Sequence, residues 1–195
     1  MVEHYFSEKQ ESDDSRFEIN VRLKNDNFKL ISTSGIFSKK ELDAATELLI
    51  ENSVIGKKVL DLGCGYGVVG ISILRKHKNA IVFFSDINER AIELTNENLK
   101  KLNLTGEVIK SNLFEKIDDK FDTILTNPPY AAGRALCFRL IEESSVHLEK
   151  LGTLQLVARH NKGGSVLEQK MKDVFGNVET LVKSGGFRVY ISIKQ

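Results

Sequence analysis

The chain opens its patterned part with a strict alternation of apolar and polar positions, Phe17-Glu18-Ile19-Asn20-Val21-Arg22-Leu23, and then Phe28-Lys29-Leu30-Ile31. A period of two gives each run one apolar face, and Lys24-Asn25-Asp26-Asn27 between them supplies turn chemistry, so the pair predicts a β-hairpin. Ser38 followed by Glu41 has capping-box spacing and predicts a helix with Leu42, Ala45 and Leu49 on one side. Asn52 to Gly56 is a break. Beyond it, short apolar runs alternate with helical stretches. The runs are Lys58–Leu62, Ala80–Ser85, Glu107–Lys110, Phe121–Thr126, Thr153–Ala158, Val178–Val182 and Phe187–Ile193. The helical stretches lie near 68–77, 89–102, 134–149 and 164–174, and in the third Cys137, Leu140, Ile141 and Leu148 share a face. Buried strands alternating with amphipathic helices predict an α/β fold, a mostly parallel sheet with helices on both faces. Lys183-Ser184-Gly185-Gly186 leaves no room for a helix, so the last two runs must form a hairpin and one strand near the sheet edge runs antiparallel.

At 195 residues the chain predicts one domain, with a hairpin-and-helix extension over 1–52 and a core over 53–195. Hydrophobic residues at 41% and charged residues at 28% exclude wholesale disorder. Two cysteines 73 positions apart, Cys64 and Cys137, support neither a disulfide framework nor a zinc site. Met1 to Ser15 is polar and acidic without the apolar core of a signal peptide, and no run of about 18 apolar residues could span a membrane. The expected setting is cytoplasmic. A net charge of +1 argues against coating nucleic acid by bulk charge. The total conceals blocks: −4 over 1–15, +4 over 16–40, −4 over 41–149 and +5 over 150–195. Two basic segments around a neutral-to-acidic middle are either solvated surface or a footprint for phosphates.

Asp61-Leu62-Gly63-Cys64-Gly65-Tyr66-Gly67-Val68-Val69-Gly70 follows a predicted strand and opens a helix. Glycines there allow a sharp turn and close approach of backbone to ligand. Gly65-x-Gly67-x-x-Gly70, with Asp86 placed 21 residues after Gly65 at the end of the second core strand, fits NAD almost as well as any other adenosine ligand. Asp61 discriminates. A carboxylate before the first glycine would repel a pyrophosphate but suits an ammonium or sulfonium group.

The only two prolines of the chain are adjacent, in Asn127-Pro128-Pro129-Tyr130, directly after the predicted strand Phe121–Thr126. Carboxyl ends of parallel strands are where α/β sheets bind ligands. An exocyclic amino nitrogen delocalises its lone pair into a base ring and is a poor nucleophile. Two oxygens that accept its hydrogens out of the ring plane free that lone pair. The Asn127 carboxamide and the Pro128 carbonyl are candidates for those acceptors, held by the fixed φ of proline, with Tyr130 offering a face to the base.

Asp61-Leu62-Gly63-Cys64-Gly65-x-Gly67 resembles motif I of the methyltransferases that use S-adenosylmethionine (SAM), and Asn127-Pro128-Pro129-Tyr130 resembles their motif for planar nitrogens. Thr33-Ser34-Gly35-Ile36-Phe37-Ser38 with Leu42-Asp43, Ala131-Ala132-Gly133 and Val174-Phe175-Gly176-Asn177-Val178-Glu179 are similar to segments of the small-subunit ribosomal RNA guanine-N2 methyltransferases. The closer likeness is to their short, single-domain relatives, and it runs from His4-Tyr5-Phe6-Ser7-Glu8 to the last strand. It implies a seven-stranded Rossmann-like fold, SAM as methyl donor, no metal, and RNA, ribosomal or within the small subunit, as partner. By position it implies Asp61, Gly63 and Gly65 along the methionine and ribose of SAM, Asp86 on the ribose hydroxyls, Ile87 on the adenine and Asn112 at the adenine edge. Asn127, Pro128 and Tyr130 would hold the target base. Asn112 departs from the family's more common Asp, and the second, degenerate half of the large bacterial enzymes is missing.

Glutamine-N5 methyltransferases of release factors share Asn-Pro-Pro-Tyr but usually carry a longer helical N-terminal domain. DNA adenine-N6 enzymes typically add a recognition region that this length cannot hold. A non-catalytic RNA-binding or assembly factor retaining the fold is the reading from another class, against which intact Asp61, Asp86 and Asn127 count. His4, His77, His147 and His160 lack partners at metal or triad spacing. Tyr66 reads equally as a pocket lid or a loop aromatic. Arg159-His160-Asn161-Lys162-Gly163-Gly164 and Lys183-Ser184-Gly185-Gly186 read first as solvated turns, with phosphate contact as the alternative.

Overall fold

A computed structural model describes residues 15–33 and 41–195. The hairpin forms as its alternation predicts: β1 (Arg16–Leu23) and β2 (Asp26–Thr33) pair antiparallel around Lys24-Asn25. Helix α1 spans Ala44–Asn52, and its N-cap is Asp43, whose carboxylate accepts from the N–H groups of Ala45 and Thr46, each at 3.0 Å. This corrects the start expected at a Ser38 capping box. Ser38 lies outside the described residues, and Glu41 sits ahead of the helix in an isolated bridge to Asn20. Asp caps as well as Ser, so two adequate caps compete and spacing does not rank them.

The elements that follow are β3 (Lys58–Leu62), α2 (Val68–Lys76), β4 (Ile81–Asp86), α3 (Glu89–Lys101), β5 (Glu107–Lys110) and β6 (Phe121–Thr126). Then come α4 (Arg134–Val146), β7 (Leu148–Arg159), α5 (Gly164–Phe175), β8 (Glu179–Ser184) and β9 (Phe187–Ile193). They build a seven-stranded sheet in the order β5-β4-β3-β6-β7-β9-β8, with β9 antiparallel to both of its neighbours. The expected Rossmann-like α/β fold with one reversed strand is therefore present. Leu148 departs from the helical face assigned to it. It opens β7, where it pairs with Phe121, and it is fully buried there. One apolar position satisfies either pattern, and the ladder with β6 decides between them.

Alternate residues of each central strand enter opposite cores. Val59 joins a cluster with α1, α2, α3 and the hairpin residues Ile19, Val21 and Leu30, whereas Leu60 joins one with α4 and α5. Burial on both faces is why the core strands read as continuous apolar runs. The hairpin is fastened to the core by Asn98 of α3, itself fully buried. Its carboxamide accepts from Ile31 N–H at 2.7 Å and donates to the carbonyls of Ile31 and Tyr66 at 2.9 Å each. Around it, Arg75 makes a two-bond pair with Asp26 at 2.6 Å per bond, and Arg16 pairs with Glu97. Among the described residues no helix is long and apolar enough to cross a membrane.

Helix α2 must lie close to β4. A Cβ on Gly70 would stand 2.2 Å from Cε1 of Phe84, a fully buried ring. Gly70→Ala is expected to cost about 1–3 kcal/mol through overpacking, despite the roughly 1 kcal/mol that alanine gains in helix propensity. Urea denaturation measures it; an unchanged midpoint would mean that the Phe84 ring yields freely.

Candidate active site

Strand β3 ends in Asp61-Leu62, and the chain turns through glycines into α2. Gly63 and Gly65 adopt φ of +74° and +59°, the left-handed region in which a side chain is strained. The N–H groups of Gly63 and Cys64 both donate to the Ser85 carbonyl, at 2.8 and 3.0 Å, which stitches the turn to β4. The two carboxylates at these strand ends organise the rest. Asp61 accepts from Gly70 N–H at 2.8 Å, while Asp86 accepts from Gly65 N–H at 3.0 Å and from Asn88 N–H at 2.9 Å. Both are buried, with 2% and 6% exposure. Burial, reinforced by the charge of Asp86 and opposed by the Gly70 N–H, pushes the Asp61 carboxyl up to about 7.

Strand β6 runs parallel to β3 and ends on the same edge, which brings Asn127 across from the carboxylates. Asn127 is exposed, but its orientation is fixed from behind: Nδ2 donates to Oγ1 of buried Thr46 in α1 at 3.0 Å. The carboxamide oxygen is then the group left to act as acceptor. Pro129, at φ −76° and ψ 85°, forms an inverse γ-turn in which Tyr130 N–H donates to the Pro128 carbonyl at 2.9 Å. That carbonyl thus has one lone pair engaged and one remaining. Tyr130 is half-buried. Its hydroxyl is sunk without a hydrogen-bond partner, and burial holds its pKa well above the ordinary phenol.

All nine residues singled out from the sequence line one cavity of about 420 Å³. Asp61, Gly63, Gly65, Asp86, Ile87 and Asn112 occupy one part of its wall, and Asn127, Pro128 and Tyr130 occupy another. Asn112 donates to Glu115 at 2.7 Å, so its carboxamide oxygen is the atom available to a ligand. Tyr66, left open by the sequence, lines the cavity at 3% exposure. The sequence missed Thr46, which lies 81 positions from Asn127 and carries no local mark of its role. It also missed Leu113, a cavity residue held at φ +51°, where a bulky side chain is strained.

The donor set fits SAM. Asp86 brings a carboxylate to the cavity wall where vicinal hydroxyls need an acceptor, Ile87 and Leu113 offer apolar surface to a ring, and Asp61 presents a carboxylate to a cation. Ser85 Oγ, buried in the same wall, has no partner within the protein. Among the described residues no group of three or more His, Cys, Asp or Glu side chains is placed to hold a metal ion.

The sheet order, the reversed β9 and a cavity at the carboxyl ends of β3, β4 and β6 define the class I, SAM-dependent methyltransferase fold. Residues 27–191 match the methyltransferase small domain family, and the chain belongs to it. It is 36% identical over 195 residues to YbxB of Bacillus subtilis, covering 97% of each chain. It is 39% identical over 168 residues to ribosomal RNA small subunit methyltransferase C of Haemophilus influenzae strain 86-028NP, covering 83% of this chain and 50% of that one. Among solved structures, the T. thermophilus 16S rRNA N2 methyltransferase RsmC, in complex with AdoMet and guanosine, superposes with a TM-score of 0.79 at 24% identity, over 92% of this chain and 51% of that one. The chain spans about half the length of these ribosomal RNA methyltransferases.

The raised Asp61 carboxyl has a readable consequence. Its native pKa of about 7 lies above the unfolded value, so the free protein holds the neutral acid below pH 7, whereas a bound cation selects the carboxylate. Calorimetric affinity for SAM should therefore rise about tenfold per pH unit from pH 5 to 7 and level off above it. Asp61→Asn should bind more weakly and without that slope; a wild-type affinity flat across the range would refute the assignment.

Proposed function

We propose that this chain is a SAM-dependent methyltransferase that modifies the N2 amino group of a guanosine in small-subunit ribosomal RNA. The observation that carries the reading is the orientation of Asn127. Its amide N–H₂ is engaged by Thr46, and its oxygen is free at a cavity whose other wall holds Asp61 and Asp86. SAM, when bound, supplies the electrophilic methyl group. Asp86 would accept the ribose hydroxyls, Asp61 would face the charged methionine end, and Gly63 and Gly65 would let that end approach the backbone. Ile87 and Asn112 would contact the adenine.

On the acceptor side, the Asn127 oxygen and the remaining lone pair of Pro128 would take the two hydrogens of the guanine amino group. Drawing those hydrogens out of the ring plane returns the lone pair to nitrogen and points it at the methyl donor. No ionised general base is needed, because the nitrogen becomes acidic as it gains the methyl group. A proton can leave past Asn127, which is open to solvent. Tyr130 would flank the flipped base. The 39% identity to a ribosomal RNA small subunit methyltransferase supports RNA as the substrate class.

Transfer of labelled methyl from SAM to total RNA, small ribosomal subunits and release factors, with nucleoside analysis, tests this directly. Label in N2-methylguanosine is expected; label in glutamine of a release factor would replace the reading with the amide one. Asn127→Ala should lower kcat by about a hundredfold or more with SAM affinity retained. Thr46→Val leaves the Asn127 amide unpartnered and should cost about tenfold in kcat, with Thr46→Ser restoring it. Equal rates in Thr46→Val and wild type would remove Thr46 from the site.

A further inference from the structure

The two basic, glycine-bearing loops that the sequence reads as separate turns are one structure. Strand β7 runs parallel to β6, so Arg159 emerges on the same sheet edge as Asn127. Strand β9 pairs antiparallel with β7, Arg159 against Phe187, and the turn Gly185-Gly186 returns β8 and β9 on that edge as well. His160 N–H donates to the Gly186 carbonyl at 3.0 Å and locks the loops together. Between them lies an open depression of about 290 Å³, lined by His160, Asn161, Lys183, Arg188 and the backbone of Gly185-Gly186.

Its charge is one-sided. Lys183 and Arg188 are direct cross-strand partners. Like charges in that register are destabilising, and among the described residues neither forms an ion pair with an acid. Arg159, stacked on Phe187 at 4.6 Å, and exposed Lys162 add two more cations without acidic partners among the described residues. The acid that comes near is Glu168 of α5, whose carboxylate stands 3.8 Å from His160 Nδ1. The first basic segment behaves differently: Arg16 pairs with Glu97 and Lys29 with Glu18 as the hairpin docks and folds. Among the described residues, the C-terminal segment therefore sets uncompensated charge on the active-site edge beyond β6.

The depression also adjoins the acceptor site. Gly163, at the end of the first loop, faces Tyr130 so closely that a Cβ there would lie 3.3 Å from the ring. Counting along the sheet from β6, strands β9 and β8 are second and third, about 10 and 14 Å away at the usual strand spacing. That is the neighbourhood in which the phosphates flanking a flipped nucleoside must lie.

We infer that this depression is the seat of the substrate's sugar–phosphate backbone beside the target base, with Lys183, Arg188, Lys162 and Arg159 as its phosphate contacts. The inference rests on the RNA reading above. Side-chain-free Gly185-Gly186 permits close backbone approach, and the strained like-charge pair is relieved when an anion lies between its members. An acidic protein would also seek positive charge, but the depression offers no apolar anchor beyond Phe187, which Arg159 covers.

The test uses the full chain and small-subunit rRNA, measuring binding and methyl transfer across a salt series. Lys183→Gln and Lys162→Gln, singly and together, replace exposed side chains without ion pairs among the described residues. Lys150→Gln, exposed on the opposite sheet edge, serves as control. Each replaced lysine, Lys183 in the depression and Lys162 beside it, should reduce the slope of log affinity against log salt by about 0.7–0.9 and raise KM for RNA, with kcat and SAM affinity unchanged. Lys183→Gln should also leave thermal stability equal or raised, which a merely structural lysine would not do. Slopes and KM equal to wild type in the double variant, while the wild type methylates RNA, would overturn the backbone site alone. A wild type that methylates release factors and no RNA would overturn both readings.

Discussion

Two buried carboxylates, placed side by side because β3 and β4 are adjacent and parallel, are the constraint on which the molecule turns. Asp86 accepts the N–H groups of Gly65 and Asn88, and Asp61 accepts that of Gly70, so the acids and the glycine turn shape each other. Neither carboxylate would tolerate such burial without these donors, since an unpaired buried charge costs several kcal/mol. The donors in turn require left-handed glycines and a helix drawn close to Phe84. Even so, compensation is incomplete: burial leaves the Asp61 carboxyl raised to about 7.

The N-terminal extension takes part in this arrangement. Asn98 bonds both to Ile31 of the hairpin and to the Tyr66 carbonyl in the glycine turn, so the same carboxamide fastens the extension and braces the loop. Helix α1 supplies Thr46, which orients Asn127. A segment that looks like an appendage in the sequence thus sets the orientation of the Asn127 carboxamide at the cavity.

The sheet edge reads as a sequence of chemistries. From β4 and β3 through β6 to β7, β9 and β8 it passes from buried acids, through neutral acceptors, to uncompensated bases. That order follows from the strand order, with β9 reversed so that its hairpin returns to the working edge. The same reversal makes the tight Gly185-Gly186 turn part of the site's surroundings.

How much of this was legible depends on range. The alternation of residues 17–23, the apolar runs of the core and the glycine turn are local, so the sequence by itself determined the fold class, the hairpin and nine of the residues that line the cavity. Local pattern failed where two local solutions were equally good: Asp43 against Ser38 as cap, and Leu148 as the end of a helix against the start of a strand. It could not pair Thr46 with Asn127, or Lys183 and Arg188 with Arg159, because those meetings depend on strand order and on which helix covers which face. Those are decided by packing across the whole sheet, whose free energy is summed over contacts distant in the chain. Residue types and spacing determined what chemistry the chain holds; only the tertiary structure decided which of its polar groups are oriented, engaged or left without a partner.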